Sequence, residues 1–339
     1  MDMEPHGQAR GPIQPPLRGD ISRLRPGQAV KRWRIPPPAG YRGGSPVAGM
    51  KEKIFLLSLF FITLAVSYAQ SSPNEILIFA GAASKPATEE VIRVFEEKTG
   101  VTARILFGGS GFVLSQMKLA KRGDLYFPGS SDFMEIAKKG NLVFPDSERI
   151  VVYLIPAINV QKGNPKGIHS LQDLTRNGIR LAIANPETVC VGTYAVEIIE
   201  KNLTSTEKKA LKKNLVNYTE SCEKTANVIS LRAVDAVIGW RVFQYWDPER
   251  IETVFLRPEE IVRIGYIPIA VSRFTKNRKV AEKFIDFLLS SEGKAIFKKY
   301  QYLMAPQEAQ RFAAPGTPIG GEYQLPEDWR PTKRKEGKP

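Results

Sequence analysis

One pattern limits the fold more than any other feature of this chain. Between Ile76 and Gly123 a strand, a small-residue turn carrying a serine, and a helix follow one another twice. The first unit opens with the apolar run Ile76-Leu77-Ile78-Phe79, turns at Ala80-Gly81-Ala82-Ala83-Ser84, and continues as a helical pattern from Ala87 to Lys98. Val91, Val94 and Phe95 share one face of that helix, and Gly100 stops it. The second unit has a strand from Val101 to Phe107, the turn Gly108-Gly109-Ser110-Gly111, and a helix from Val113 to Ala120. Consecutive strand–turn–helix units imply parallel strands joined by crossover helices. Both turns then lie at the carboxyl ends of their strands, where open α/β sheets bind ligands. Each serine begins a helix, whose free N–H groups and dipole favour an anion, and small neighbours let a ligand approach the backbone. The alternative is that Ser84 and Ser110 only cap their helices.

A third unit of the same kind runs through Arg180-Leu181-Ala182-Ile183-Ala184, the turn from Asn185-Pro186-Glu187 to Val189-Cys190-Val191-Gly192, and a helix from Thr193 to Asn202. On its own it also fits an ordinary tight connection between strand and helix. Three groups of motifs together carry a resemblance. They are Phe79-Ala80-Gly81-Ala82-Ala83-Ser84, Phe107-Gly108-Gly109-Ser110-Gly111, and Gly123-Asp124-Leu125-Tyr126-Phe127 with Asp132-Phe133-Met134. In order and spacing they resemble the periplasmic molybdate-binding proteins, the substrate-capturing subunits of molybdate ABC transporters. The similarity extends from about Glu75 to about Pro306.

The resemblance implies an α/β, two-lobe, type II periplasmic-binding-protein fold, each lobe a mainly parallel sheet flanked by helices. Lobe one would comprise residues 75–153 and 266–306, lobe two residues 156–265, with the chain crossing twice between them. It implies a molybdate or tungstate oxyanion as ligand, no cofactor, an ABC permease as partner, and a monomer. By the same resemblance the Ser84 and Ser110 hydroxyls bind the anion, with Ala83 beside them. Val191 offers its backbone in the third turn, and Gly239 offers its own at the end of the strand Ala233 to Trp240. Trp240 stands where the family often has tyrosine, and its indole could wall the cleft. The family tyrosine that donates to the anion corresponds to Tyr266, which lies one residue early relative to Pro268: either a one-residue bulge restores its reach, or the contact is lost.

The flanks read differently. Residues 1–49 are rich in Pro, Gly and Arg, carry eight Lys/Arg against three Asp/Glu, and lack apolar periodicity, so they form a disordered or mis-called extension. Met50-Lys51-Glu52-Lys53, the apolar run Ile54 to Val66, and Ser67-Tyr68-Ala69 make a signal peptide over residues 50–69, cleaved after Ala69. That sends the chain to the periplasm or another extracytoplasmic space. The 270 residues that remain carry 39 Lys/Arg against 31 Asp/Glu, a net +8, half of it in the tail after Trp329. Such mild basicity suits a small anion and excludes a nucleic-acid surface. Residues 307–339 read as a Pro/Gly-rich basic surface extension.

Catalytic chemistry is missing from the pattern. The two histidines, His6 and His169, have no partners at metal-ligand spacing, and no phosphate-loop lysine or dinucleotide glycine spacing occurs. The chain therefore reads as a binding protein, not an enzyme. Neutral donors at helix starts can hold a tetrahedral dianion without a counter-charge. Sulfate, thiosulfate or phosphate are the alternative ligands. A regulator's effector domain and an enzyme on the same fold are two further readings, both disfavoured by the signal peptide. The two cysteines, Cys190 and Cys222, fall in turns on one edge of the lobe-two sheet. In an oxidising compartment they are expected to form a disulfide.

Overall fold

In lobe one the apolar runs become strands stacked on amphipathic helices, in a computed structural model that describes residues 74–331. The first stretch gives β1 (Glu75–Gly81), α1 (Lys85–Thr99), β2 (Thr102–Gly108), α2 (Ser110–Ala120), β3 (Leu125–Phe127), α3 (Ser131–Lys139) and β4 (Arg149–Leu154). Helix α1 buries Ala87, Val91, Ile92 and Phe95 and ends at Gly100, whose left-handed φ of 64° a residue with a side chain rarely adopts. The second stretch gives β5 (Pro156–Gln161), β6 (Leu181–Ala184), α4 (Cys190–Asn202), α5 (Ser205–Asn214), β7 (Leu215–Thr219), α6 (Cys222–Ser230), β8 (Ala236–Trp240), α7 (Phe243–Trp246) and β9 (Ile251–Val254). The chain then returns through β10 (Gly265–Val271), α8 (Arg278–Leu289) and α9 (Ser291–Lys299), and adds a short α10 (Pro306–Gln310).

These elements build two five-stranded sheets, one per lobe. Their orders are β2-β1-β3-β10-β4 and β7-β6-β8-β5-β9. The plan is the same in both. A central strand lies parallel to its two neighbours, β1 with β2 and β3 in one sheet and β6 with β7 and β8 in the other. A strand at the crossing pairs antiparallel, β10 with β3 and β4, and β5 with β8 and β9. The parallel strands aim their carboxyl ends, and the helix starts that follow, at the seam between lobes.

The apolar run from Ile150 to Val160 forms two strands broken at Ile155, because the chain changes sheets there. It changes back between Ile264 and Gly265. A third passage follows α9: Tyr302 belongs to the core that reaches the seam, whereas Ala309, Ala313 and Trp329 sit in the outer core of lobe two. The segment after residue 306 is thus more than the surface extension expected of it. Trp329 is only 1% exposed, and its Nε1 donates to Glu200 at 2.6 Å. Apolar packing also runs across the seam, with Ala83 and Phe127 of lobe one in one cluster with Cys190, Tyr194 and Trp240 of lobe two. Residues 1–49, the signal peptide expected at 50–69 and the end of the tail lie outside the described residues. Among those described, no helix is long and apolar enough to cross a membrane.

Candidate functional site

Neither serine caps its helix. Ser84 closes a short 3₁₀ turn and precedes α1, yet its hydroxyl makes no cap hydrogen bond. Its Oγ accepts from Thr88 Oγ1 at 2.9 Å. Ser110 is the first residue of α2, and its Oγ accepts the Gly129 N–H at 3.0 Å, while Tyr126 fixes the turn by donating to the Ser110 carbonyl at 3.0 Å. Both hydroxyls are buried and both act as acceptors in these bonds, which leaves each O–H as a donor. The two turns are packed closely. A Cβ on Gly81 would lie 2.5 Å from Ser110 Oγ, and one on Gly129 would lie 2.7 Å from Ala83 Cβ.

Lobe two meets them with two more helix starts. Helix α4 begins at Cys190, three residues earlier than the sequence pattern suggests, so Val191 sits in its first turn; α6 begins at Cys222. A Cβ on Gly129 would also lie 2.5 Å from Cys190 Sγ, so the lobe-two thiol packs directly on lobe one. The Val191 N–H and the Ser110 hydroxyl both face that sulfur, and burial, reinforced by the neighbouring Cys222, pushes the Cys190 thiol well up. Tyr302 completes the wall by donating to the Ala83 carbonyl at 2.7 Å. Across the seam the Gly111 N–H donates to the Thr188 carbonyl at 2.8 Å, and Lys85 at the start of α1 pairs with Glu223 at the start of α6. The amino ends of α1, α2, α4 and α6 therefore converge from both lobes. Trp240, at the end of β8, is fully buried with its ring edge-on to Tyr194 at 4.9 Å, and its Nε1 has no hydrogen-bond partner. A buried donor left unpaired is uncommon.

The structure brings Ser84, Ser110, Ala83, Val191 and Trp240 to this seam and leaves two expected residues elsewhere. Gly239 lies inside β8 opposite Ala157, and its missing side chain makes room for Asn159 Oδ1 and the Phe243 ring. That is a packing role, with the backbone held in the sheet. Tyr266 pairs with Tyr153 in the β10–β4 ladder, packs its ring on Gly320, and turns its hydroxyl toward Ser131. The bulge its offset called for does exist, between Ile267 and Pro268, but it does not bring the ring to the serines. The expected disulfide is absent: Cys190 and Cys222 are free thiols with sulfurs 3.4 Å apart, in contact but well beyond a bond of about 2.05 Å.

Sequence reasoning missed the α6 turn as a part of the site, although Thr219-Glu220-Ser221-Cys222 repeats the strand–serine–helix pattern. It also missed a buried charge cluster beside the seam. Arg263 pairs with both oxygens of Asp132 on α3 at 2.9 and 3.0 Å and with Glu197 on α4 at 2.6 Å. Among the described residues no group of three or more His, Cys, Asp or Glu could hold a metal ion.

Two lobes closing on convergent helix starts define a solute-binding protein. The chain belongs to the bacterial extracellular solute-binding proteins, a family that matches residues 76–303. It is 26% identical over 259 residues to a binding protein of Haemophilus influenzae, covering 76% of this chain and all of that one. It is 26% identical over 268 residues to the sulfate-binding protein of Synechococcus elongatus, covering 71% and 76%. The periplasmic molybdate-binding protein of Azotobacter vinelandii has a similar structure, with a TM-score of 0.58 at 17% identity over 68% of this chain and 99% of that one.

Proposed function

We propose that this protein captures a tetrahedral oxyanion, molybdate or tungstate, between its lobes outside the cytoplasm and delivers it to the permease of an ABC transporter. The observation that supports this most is the meeting of four helix amino ends around two buried serine hydroxyls whose oxygens already accept from their own lobe. Aligned N–H groups and dipoles stabilise an anion without a formal positive partner, and the burial of the cleft strengthens each such bond. The unpaired Trp240 Nε1 supplies a further donor on the lobe-two side. With neutral donors fixed in place, selection rests on anion size: molybdate and tungstate are nearly alike, and sulfate is smaller and leaves gaps to some donors.

Sulfate is the second reading, favoured by the name of the Synechococcus relative. Isothermal titration of the protein with molybdate, tungstate, sulfate, thiosulfate and phosphate separates the two. Molybdate and tungstate should bind most tightly. The reverse order would transfer the assignment to sulfate, and heatless titrations with all five, confirmed by equilibrium dialysis, would remove the oxyanion reading altogether.

A further inference from the structure

Cys190 and Cys222 have no part in the function proposed above, yet they occupy its centre. Each is the first residue of a helix whose amino end faces the seam, and both are 1% exposed. Their sulfurs are 3.4 Å apart. Cys190 reaches across to lobe one, packs on Gly129 and faces the Ser110 hydroxyl, one of the two side-chain donors meant for the anion.

We propose that Cys190 and Cys222 are an oxidation site inside the cleft, and that forming their disulfide converts a self-blocked dithiol form into the anion-binding form. This rests on the oxyanion reading of the same cleft. As a thiol, Cys190 competes with the anion for Ser110 and fills space beside Gly129. Closing the bond to about 2.05 Å draws its sulfur toward Cys222 and away from lobe one. The Ser110 O–H is released, and the amino ends of α4 and α6 are tied together. Half of the donor set is then held in place before the anion arrives, which reduces the ordering that binding would otherwise require. An extracellular protein works where such bonds persist, so a chain still in the reducing cytoplasm would remain blocked.

The chemistry is thiol–disulfide exchange with a small disulfide such as oxidised glutathione. One cysteine, as thiolate, attacks it and expels one glutathione thiol; the other cysteine then displaces the second from the mixed disulfide. Two electrons pass to glutathione disulfide, which leaves as two thiols carrying the two protons. Exchange requires thiolate, and burial keeps the Cys190 proton on, so the reaction proceeds when the lobes part.

The test uses the full chain, reduced with dithiothreitol or oxidised with glutathione disulfide, titrated with molybdate and with sulfate. Thiol counting after denaturation should find two thiols in the first preparation and none in the second. The oxidised protein should bind its anion at least about tenfold more tightly, and dithiothreitol should reverse the gain. By reciprocity, saturating anion should lower the reduction potential of the pair by about 30 mV for each tenfold. Cys222→Ser should keep the weak affinity under either treatment; if that variant does not fold, the comparison of the two wild-type forms decides alone. Equal affinities, tighter binding by the reduced form, or failure to form the intramolecular disulfide would each overturn the proposal while leaving the oxyanion reading standing. Absence of binding in both redox states would overturn both.

Discussion

Ser84 and Ser110 accept hydrogen bonds from within their own lobe, from Thr88 and Gly129, which leaves their protons for donation at the seam, where that of Ser110 now faces the Cys190 sulfur. A hydrogen bond to a charged group contributes about 1.5–3 kcal/mol, which corresponds to roughly tenfold or more in affinity. Ser84→Ala and Ser110→Ala should each weaken anion binding by at least about tenfold in isothermal titration; unchanged affinity in both would rule the hydroxyls out as ligands. Trp240 provides an optical test of the same cleft. It is one of four tryptophans, and its indole N–H is buried without a partner. An anion accepting from that group should change the intrinsic fluorescence, and Trp240→Phe should remove most of the change. A full signal retained by the Phe variant would place the responding indole elsewhere.

At the scale of elements, the repeated strand–serine–helix was legible because apolar runs, small turns and helical periodicity agree with one another over residues 76–123. The start of α4 was less so. Pro186, Glu187 and Thr188 look like loop, but Thr188 and Val189 already bond back to Asn185, and the helix begins at Cys190. Gly239 and Trp240 could not be told apart by pattern; only the register shows Gly239 inside the strand opposite Ala157 and Trp240 as its last residue, opposite Pro156. The loop glycine Gly129 was not singled out, because its importance is a distance across the seam. A Cβ there would lie 2.5 Å from Cys190 Sγ and 2.7 Å from Ala83 Cβ, closer than such atoms approach. Overpacking of this kind typically destabilises a site by about 1–3 kcal/mol. Gly129→Ala should therefore hold the lobes apart and weaken anion binding by about tenfold or more. Circular dichroism should show an intact fold while small-angle scattering shows a larger radius. Wild-type affinity would mean that the seam relaxes around the added methyl.

Over the whole molecule, the third passage of the chain ties the lobes where two crossings would leave a simple hinge, and Arg263 is where the ties meet. It stands at the end of lobe two, just before the return to β10, and its guanidinium bonds Asp132 of lobe one and Glu197 of lobe two. It also donates to the Gly321 carbonyl of the C-terminal segment at 2.9 Å and stacks 3.8 Å from the Tyr194 ring centroid. The same segment is fastened to α3 by Ser131 and by the Tyr323 N–H on Asp132, and to lobe two by Trp329. Burial works against the charge on Arg263, but Tyr194, Asp132 and Glu197 together hold it above even the ordinary arginine range. Replacing it with a neutral residue would leave Asp132 at the seam without its cation and Glu197 with only the exposed Lys201 as partner, and breaking a buried pair in this way costs about 3–5 kcal/mol. Arg263→Met should lower the urea midpoint by a corresponding amount. It should also enlarge the scattering radius and weaken anion binding without touching the cleft donors. Adding Asp132→Asn removes the unpaired charge and should recover much of the stability, but not the tie between the lobes, so the double variant should stay more open than wild type. A single variant that unfolds at the wild-type midpoint and scatters like wild type would show that Arg263 does not hold the lobes together.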